Sequence, residues 1–389
     1  MIVRCASHPL RFKADGPRAD TPEMELAQRR AGLPFVRAAA QLANVLLFAV
    51  LPLVFVPVLL HAAGHDYLWD FRKEFLPAGR AILDGDSPYP QTIGDLASHA
   101  NYVYPPLAAL VMAPFTWLPQ TVAEVLFVAL SLAAPALVLR ILGVRDWRCY
   151  GLVYLWPPLL GGVSLGTLSP LLALAVAAGW RWRASSPVLG ATVAGAAVAK
   201  VFLWPLLVLF AAGGRWRAGL VSIAAACLAA LASWAVIGFA GLSGYPHLLS
   251  ELSKVESPRG YSPTALGLAV GLPRGAALAL ATAIGLPLLV AAAACIRRPG
   301  RELPALAFAV AAVVALSPVV WLHYLVLLLV PIAAGRDRLA LVWFAPLLFW
   351  ITPGTASNGS TWRIVLVLTF TTLTLVLAAR PARAPREAR

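Results

Sequence analysis

Three ionisable side chains, Asp70, Lys200 and His323, give the first indication of a reactive site, and two of them, Lys200 and His323, stand alone in apolar sequence. Asp70 lies within Tyr-Leu-Trp-Asp-Phe-Arg, whose aromatic rings are typical of a membrane interface. Lys200 is one of four lysines and is the only charged residue in 184–214. His323 is the only Asp, Glu, Lys, Arg or His in 303–335. An isolated ionisable group in an apolar run is a functional candidate because it is costly there without a partner or ligand.

Each of these side chains has a chemical role open to it and a structural alternative. Asp70 can act as a general base on a hydroxyl group delivered from the lipid surface, or it can be a solvated loop acid or helix cap. Lys200 can neutralise a phosphate, or it can snorkel to headgroups or pair with a structural acid. His323 can transfer a proton or bind a phosphate or hydroxyl group, or it can be a structural histidine whose ring N–H donates a hydrogen bond to a backbone carbonyl.

The composition excludes an ordinary soluble enzyme. Of the 389 residues, 60% are hydrophobic and 12% are charged, against roughly 45–50% and 25% in typical soluble domains. Apolar runs follow one another from residue 36 to 379, and about 20 apolar residues suffice for one helical crossing. The sequence therefore predicts an all-α polytopic membrane protein. The net charge of +14 is no reason to expect a nucleic-acid partner, because most of the basic residues form short clusters between apolar runs, where membrane orientation explains them. We expect no nucleic-acid partner.

The basic clusters predict which helix ends face the cytoplasm. The first span, about 36–60, follows Arg29 and Arg30, so the positive-inside rule places the N-terminus in the cytoplasm. Taking the later Arg clusters as cytoplasmic gives about 12 transmembrane helices, several of them short or broken by proline, with 104–118 either a short crossing or a re-entrant helix. Broken spans favour an interior site, because protein or a water-filled cavity must satisfy the freed backbone groups. The segments then expected at the outer face are 61–101, 164–169, the region around Lys200, 241–262, 317–324 and 353–361.

Three regions follow from this pattern. Residues 1–34 are polar and lack the apolar centre of a signal peptide, which predicts a disordered cytoplasmic tail. Residues 35–379 form a single transmembrane domain. Its longest polar connection, 61–101, holds six of the 17 acidic residues and is predicted to be an extracytoplasmic catalytic loop with juxtamembrane helices. Residues 380–389 form a basic cytoplasmic tail.

Other patterns in the sequence are weaker indications of a functional site. Asp84-Gly85-Asp86 has the paired carboxylates of a metal site, but Asp, Gly, Ser and Pro are also typical of turns. We favour the turn, and we expect no metal and no cofactor. The four cysteines have no zinc spacing. The segment 241–262 either covers an outer cavity or is a solvated connection.

A set of individually weak motifs occurs in order between about residues 66 and 335. They are an Asp shortly after the first span, Ala-Ile-Leu-Asp-Gly-Asp-Ser-Pro-Tyr at 81–89, Tyr-Pro-Pro-Leu at 104–107, a turn at Gly166, Lys200 before Pro205, Arg-Trp-Arg-Ala at 215–218 and Ser-Pro-Val-Val-Trp-Leu-His-Tyr at 317–324. Together they resemble glycosyltransferase family 87, membrane mannosyltransferases of the C-type superfamily. The chain departs from the family at 166–169, where Gly-Thr-Leu-Ser stands in place of the frequent Gly-Gln pattern.

The resemblance implies transfer of a hexose, usually mannose in α-1,2 linkage, from a polyprenyl-phosphate-sugar donor to a glycolipid or glycan acceptor outside the bacterial plasma membrane. Asp70 matches the family's loop aspartate, taken as the base, and His323 matches the histidine after Ser-Pro-x-x-Trp. We expect Lys200, with Arg72 and Arg80, to bind the donor phosphate during an inverting displacement. The alternative is a transporter or flippase of a lipid-linked sugar. Transporters typically place their site at the midplane between internal repeats, and the sequence shows neither a repeat nor a mid-span acid.

Overall fold

A computed structural model of the protein describes residues 36–89, 102–185, 188, 190–213, 216–352 and 354–380. These residues form helices and turns and contain no strand, which confirms the all-α prediction. The predicted N-terminal tail (1–34), nearly all of the predicted C-terminal tail (380–389) and the end of the first loop (90–101) lie outside the described residues.

The helices alternate between long apolar rods and short segments joined by tight turns. In chain order they are Val36–Ala62 (α1), Leu76–Leu83 (α2), Pro106–Met112 (α3), Gln120–Ile141 (α4), Trp147–Val153 (α5), Pro157–Leu165 (α6), Ser169–Arg181 (α7), Gly195–Ala199 (α8), Trp204–Ala212 (α9), Trp216–Val236 (α10), Tyr245–Glu256 (α11), Pro263–Ala269 (α12), Arg274–Ile296 (α13), Glu302–Leu316 (α14), Leu329–Gly335 (α15) and Thr361–Ala379 (α16). Wider π turns at Phe71–Phe75 and Gly190–Ala194 and tighter 3₁₀ turns at Gly64–Asp66, Ala113–Trp117, Leu322–Leu328 and Leu341–Ile351 extend or connect them.

Five of these helices in the described part of the chain, α1, α4, α10, α13 and α16, are long and apolar enough to cross a membrane. Five shorter apolar segments of 10–17 residues accompany them, including Pro106–Trp117. The protein is therefore a helical membrane protein, as expected, with short segments among its spans. The expected total of about 12 crossings stays a prediction.

Two late segments of the chain, Leu322–Gly335 and α16, end beside Arg clusters. The segments before α15 and α16 contain His323 and Thr355, whose surroundings are described below, and both helices end among Arg clusters. There the Arg145 N–H donates to the Asp337 carbonyl at 2.8 Å. The Arg336 guanidinium donates to the Arg380 carbonyl, also at 2.8 Å. Three clusters predicted to be cytoplasmic thus meet at one end, as the predicted topology requires.

The Asp84-Gly85-Asp86 sequence forms the predicted turn. The Asp86 N–H donates to the Ala81 carbonyl at 2.8 Å, and the Gly85 N–H donates to the Ile82 carbonyl at 3.2 Å. Gly85 has a φ of +82°, in the left-handed region that glycine adopts at low cost. This pair of hydrogen bonds is the Schellman arrangement that ends many helices, so the turn is the end of α2.

Candidate active site

A cavity of about 470 Å³ lies among the connections between helices, and none of its lining residues belongs to these Arg clusters. Every segment predicted at the outer face contributes to its wall. One lining residue from each segment, in chain order, is Asp70, Leu165, Lys200, Tyr245, Trp321 and Thr355. The loops that the charge pattern assigns to one face of the membrane therefore do converge in space.

The structure brings Asp70, Lys200 and His323 to this one cavity. Asp70 follows the turn after α1, Lys200 lies between α8 and α9, and His323 lies in the 3₁₀ turn before α15. Lys200 and His323 are each 4% exposed. The three side chains come from separate parts of the sequence, and their meeting gives the cavity a carboxyl group, an ammonium group and an imidazole.

The ammonium group of Lys200 lies among aromatic rings. Its Nζ is 3.8 Å from the ring centroid of Tyr324, 5.1 Å from that of Tyr104 and 5.7 Å from that of Phe202. Within the described residues, Nζ has no hydrogen-bond partner and no ion pair. The negative faces of aromatic rings stabilise a cation but do not neutralise it. Lys200 is thus neither paired with a structural acid nor extended to the surface, and it can bind an anionic group of a ligand.

The carboxyl group of Asp70 is also unpartnered among the residues that the structure covers. Asp70 immediately precedes the Phe71–Phe75 π turn, but its side chain makes no capping hydrogen bond, so the cap alternative is not what the structure shows. Burial raises the pKa of Asp70 to about 6, against the opposing effect of the Lys200 charge. A carboxylate whose pKa is drawn toward neutral pH is well suited to accept a proton.

A tight contact between two turns positions Asp70. Leu68 is fully buried and has a φ of +56°, which is unusual for a residue with a side chain, and its N–H donates to the Ser164 carbonyl at 2.6 Å. Opposite it, Gly166 ends α6 with a φ of +73°. A Cβ atom on Gly166 would lie 2.7 Å from the Phe71 Cβ and 3.1 Å from the Leu68 Cδ2. Glycine is therefore required for the approach that places Asp70 at the cavity.

Replacing Gly166 with alanine is expected to lower activity by about a hundredfold, the order that a displacement near 1 Å can cost. The new methyl group must push Leu68 or Phe71 away, and Asp70 moves with them. Gly143→Ala is the matched control, since Gly143 has a φ of +80° with no atom within 4 Å of its would-be Cβ. Both variants should lose about 1 kcal/mol of stability from backbone strain, measured by thermal unfolding. Equal activity of the two variants would show that the contact at Gly166 does not position the site.

Hydrogen bonds between neighbouring loops position His323. The Tyr261 N–H donates to the Val320 carbonyl at 2.7 Å, and the Leu322 N–H donates to the Thr355 carbonyl at 3.2 Å. These bonds join the Ser-Pro-Val-Val-Trp segment to the loops before α12 and α16. The buried Nδ1 atom of His323 has no partner among the described residues, so no backbone carbonyl satisfies it.

Arg72 and Arg80 lie elsewhere. Both line a second groove of about 480 Å³ that contains neither Asp70 nor Lys200. The Arg72 guanidinium donates two hydrogen bonds of 2.7 Å to the carboxylate oxygens of Glu124. The structure therefore does not bring these two arginines together with Lys200, and we leave them out of the proposed phosphate site.

The sequence analysis missed Glu74, which lines the same cavity as Asp70. Its spacing of four residues from Asp70 on one helical segment was the available signal.

The segment 241–262 covers the cavity rather than being only a solvated connection, since Tyr245, Ser253 and Arg259 all line it. The Arg274 guanidinium anchors α11 through hydrogen bonds of 3.0 and 2.9 Å to the Ser253 carbonyl and hydroxyl oxygens.

Comparison with known proteins identifies the family of the chain. The family model for glycosyltransferase family 87 matches residues 102–320. No curated protein matches the chain, and no solved structure matches it. The matched residues contain Lys200, whereas Asp70 and His323 lie outside them, so the case for these two residues depends on the geometry. Because the match covers more than half of the 389 residues, this helical membrane protein belongs to glycosyltransferase family 87.

Proposed function

We propose that the protein transfers a hexose, mannose in the first instance, from a polyprenyl-phosphate-sugar to a hydroxyl group of a glycolipid or glycan acceptor. The observation that carries the proposal is the meeting, in one cavity, of the Asp70 carboxyl and the Lys200 ammonium, whose Nζ has no hydrogen-bond partner among the described residues. Family membership supports glycosyl transfer as the reaction class. A base and a cation are the two groups that transfer from a sugar phosphate to a hydroxyl requires.

The proposed reaction is a single inverting displacement. Asp70 accepts the proton of the acceptor hydroxyl as that oxygen forms a bond to the anomeric carbon. The bond from this carbon to the phosphate oxygen breaks, and polyprenyl phosphate departs with the electron pair. Lys200 stabilises the negative charge that develops on the phosphate, and His323 holds the phosphate or orients the acceptor. Lys200 is buried, and a buried charge interacts more strongly with a phosphate than a charge in water does.

An apolar opening supports a lipid-linked donor. Val201 and Trp204 line the cavity, yet they are 44% and 38% exposed. Both precede or begin α9, one of the short apolar segments. A polyprenyl chain can lie against this exposed apolar edge while its phosphate reaches Lys200. This arrangement favours a donor that enters sideways from the membrane over a water-soluble nucleotide sugar.

We propose the topology together with the function. The chain crosses the bacterial plasma membrane about 12 times, with both termini in the cytoplasm and the cavity on the extracytoplasmic face. The meeting of three Arg clusters, none of which lines the cavity, supports this orientation.

The test uses purified protein in lipid vesicles with radiolabelled polyprenyl-phosphate-mannose and a crude glycolipid extract. We expect the label to appear in a glycolipid product. Label that crosses the bilayer while still attached to polyprenyl phosphate would instead identify a flippase. Transfer from another polyprenyl-phosphate hexose, with none from the mannose donor, would keep the reaction class and change the sugar.

The pH dependence of transfer should report the ionisation of Asp70. Its pKa is raised to about 6, and only the ionised carboxylate can accept a proton. We therefore expect kcat/KM to fall about tenfold per pH unit below about pH 6, as Asp70 is protonated, and to fall again above about pH 7, because burial lowers the pKa of Lys200 to about 7. Initial rates at saturating acceptor and low donor concentration measure this profile. A profile that stays level down to pH 4.5 would contradict Asp70 as the base.

A further inference from the structure

A second carboxyl group, that of Glu74, lies beside Asp70 in the cavity. Asp70 immediately precedes the Phe71–Phe75 π turn and Glu74 is the fourth residue of that turn, and a π turn takes more residues than a turn of α-helix. Residues four apart therefore project from nearly the same side. Arg72, two residues from each, lines the second groove instead. This helical segment thus presents its two acids to the cavity and its arginine away from it.

Glu74 differs from the other half-buried or buried glutamates near it, because it has no partner. Glu124 accepts hydrogen bonds from Arg72 and Gln120, and Glu256 faces Arg259 at 3.5 Å. Among the described residues, the Glu74 carboxyl makes neither a hydrogen bond nor an ion pair. A polar group that lines a partly apolar cavity without a partner is suited to bind a ligand.

The charges around Glu74 favour its neutral form. The titratable groups that face it are Asp70 on its own segment, Lys200 between α8 and α9, Glu256 at the end of α11, Tyr102 and Tyr104 before α3, and Tyr324 before α15. Lys200 is thus one cation facing two unpaired carboxyl groups. Burial, followed by the Asp70 charge, raises the pKa of Glu74 well above its ordinary value. Two neighbouring carboxyl groups that share one cation do not both ionise readily.

We propose that Glu74 contacts the transferred sugar, as a neutral carboxylic acid whose O–H donates a hydrogen bond to a sugar hydroxyl beside Asp70. This inference rests on the proposed function and adds a sugar-recognising residue to it. The aromatic side chains of Trp69, Tyr104 and Trp321 line the same cavity. Aromatic walls with a few directed polar groups are the usual construction of a site that fixes the orientation of a small ligand.

The test compares Glu74→Gln with Glu74→Ala. The Gln amide N–H₂ can replace the acid O–H as a donor, so Glu74→Gln should keep kcat/KM within about threefold. Glu74→Ala leaves the sugar hydroxyl without its donor and should lower kcat/KM by about ten- to a hundredfold. Glu302→Gln is the control, because Glu302 is a half-buried glutamate at the start of α14 that does not line the cavity. Equal losses in Glu74→Gln and Glu74→Ala would overturn the neutral acid.

A panel of monodeoxy donors separates sugar contact from a structural effect. Wild-type protein should use one deoxy donor about tenfold less well than the complete donor, whereas Glu74→Ala should use the two equally. A penalty for that donor that is unchanged in Glu74→Ala would overturn the contact. All variants are first compared by size-exclusion chromatography and thermal unfolding.

Infrared spectroscopy tests the protonation state without any donor. The carbonyl band of a protonated carboxylic acid should be present near neutral pH in wild type and in Glu302→Gln, and it should be reduced in Glu74→Gln. An unchanged band in Glu74→Gln would overturn the inference even if transfer from polyprenyl phosphate is confirmed. Loss of the band in a protein that transfers no sugar would contradict the proposed function alone.

Discussion

Asp70→Asn is expected to lower the rate of sugar transfer by about 10²- to 10⁴-fold, the usual contribution of a general base. Asparagine has nearly the size and shape of aspartate, but its amide cannot accept a proton from the acceptor hydroxyl. The Asp70 carboxyl makes no hydrogen bond within the described residues and contributes no helix cap. The substitution should therefore leave the thermal unfolding temperature nearly unchanged. The measurement is kcat for transfer from labelled donor to glycolipid.

Asp66→Asn provides the matched control for this substitution. Asp66 lies in the same polar connection, at the end of the Gly64–Asp66 turn, and it is exposed and does not line the cavity. We expect it to transfer sugar at the wild-type rate. If Asp70→Asn were also as active as wild type, another group would have to be the base, and the displacement as proposed would be wrong.

Lys200→Met is expected to lower transfer by about 10²- to 10³-fold, as removal of one group that stabilises developing charge does elsewhere. The donor phosphate carries one negative charge as a diester and gains a second as the bond to the sugar breaks. Lys200 therefore interacts more strongly with the transition state than with the bound donor. The loss should appear mainly in kcat, with a smaller rise in KM for the donor.

Methionine fits the environment of Lys200, which consists largely of aromatic rings. Removal of a buried, unpaired charge should leave stability unchanged or raise it, so a loss of activity cannot be attributed to unfolding. Lys254→Met is the control, because Lys254 is an exposed residue of α11 that pairs with Glu251. A variant with an increased KM and an unchanged kcat would limit Lys200 to ground-state binding.

Substitution of Lys200 should also change the pH dependence of transfer that Asp70 sets. The Lys200 charge lowers the pKa of Asp70 and so opposes the effect of burial. In Lys200→Met this opposing charge is gone, and the acid limb of the residual activity should therefore move to higher pH. An unmoved acid limb would show that Asp70 and Lys200 do not share one site during the reaction.

The sequence by itself determined the helical membrane class, the set of loops that meet around the cavity, and three of its ionisable residues. The apolar runs and the Arg clusters interact directly with the bilayer, and each can be recognised from residues that lie close together in the chain. The prediction that Asp70, Lys200 and His323 share one face needed no knowledge of how the helices pack, but only the structure shows that they meet in one cavity. The turn at Asp84-Gly85-Asp86 was predictable for the same reason, since its hydrogen bonds are local.

Only the tertiary structure decided which charged side chains of the first loop face the cavity. Arg72 and Glu74 are two residues apart, and sequence reasoning favoured the arginine for the site. The direction of each depends on the wide π turn, which changes the helical phase, and on Glu124, which holds Arg72 from 52 residues away. The phase of a short helix and the identity of a distant ion-pair partner are set by packing between segments, which neither composition nor local charge pattern specifies.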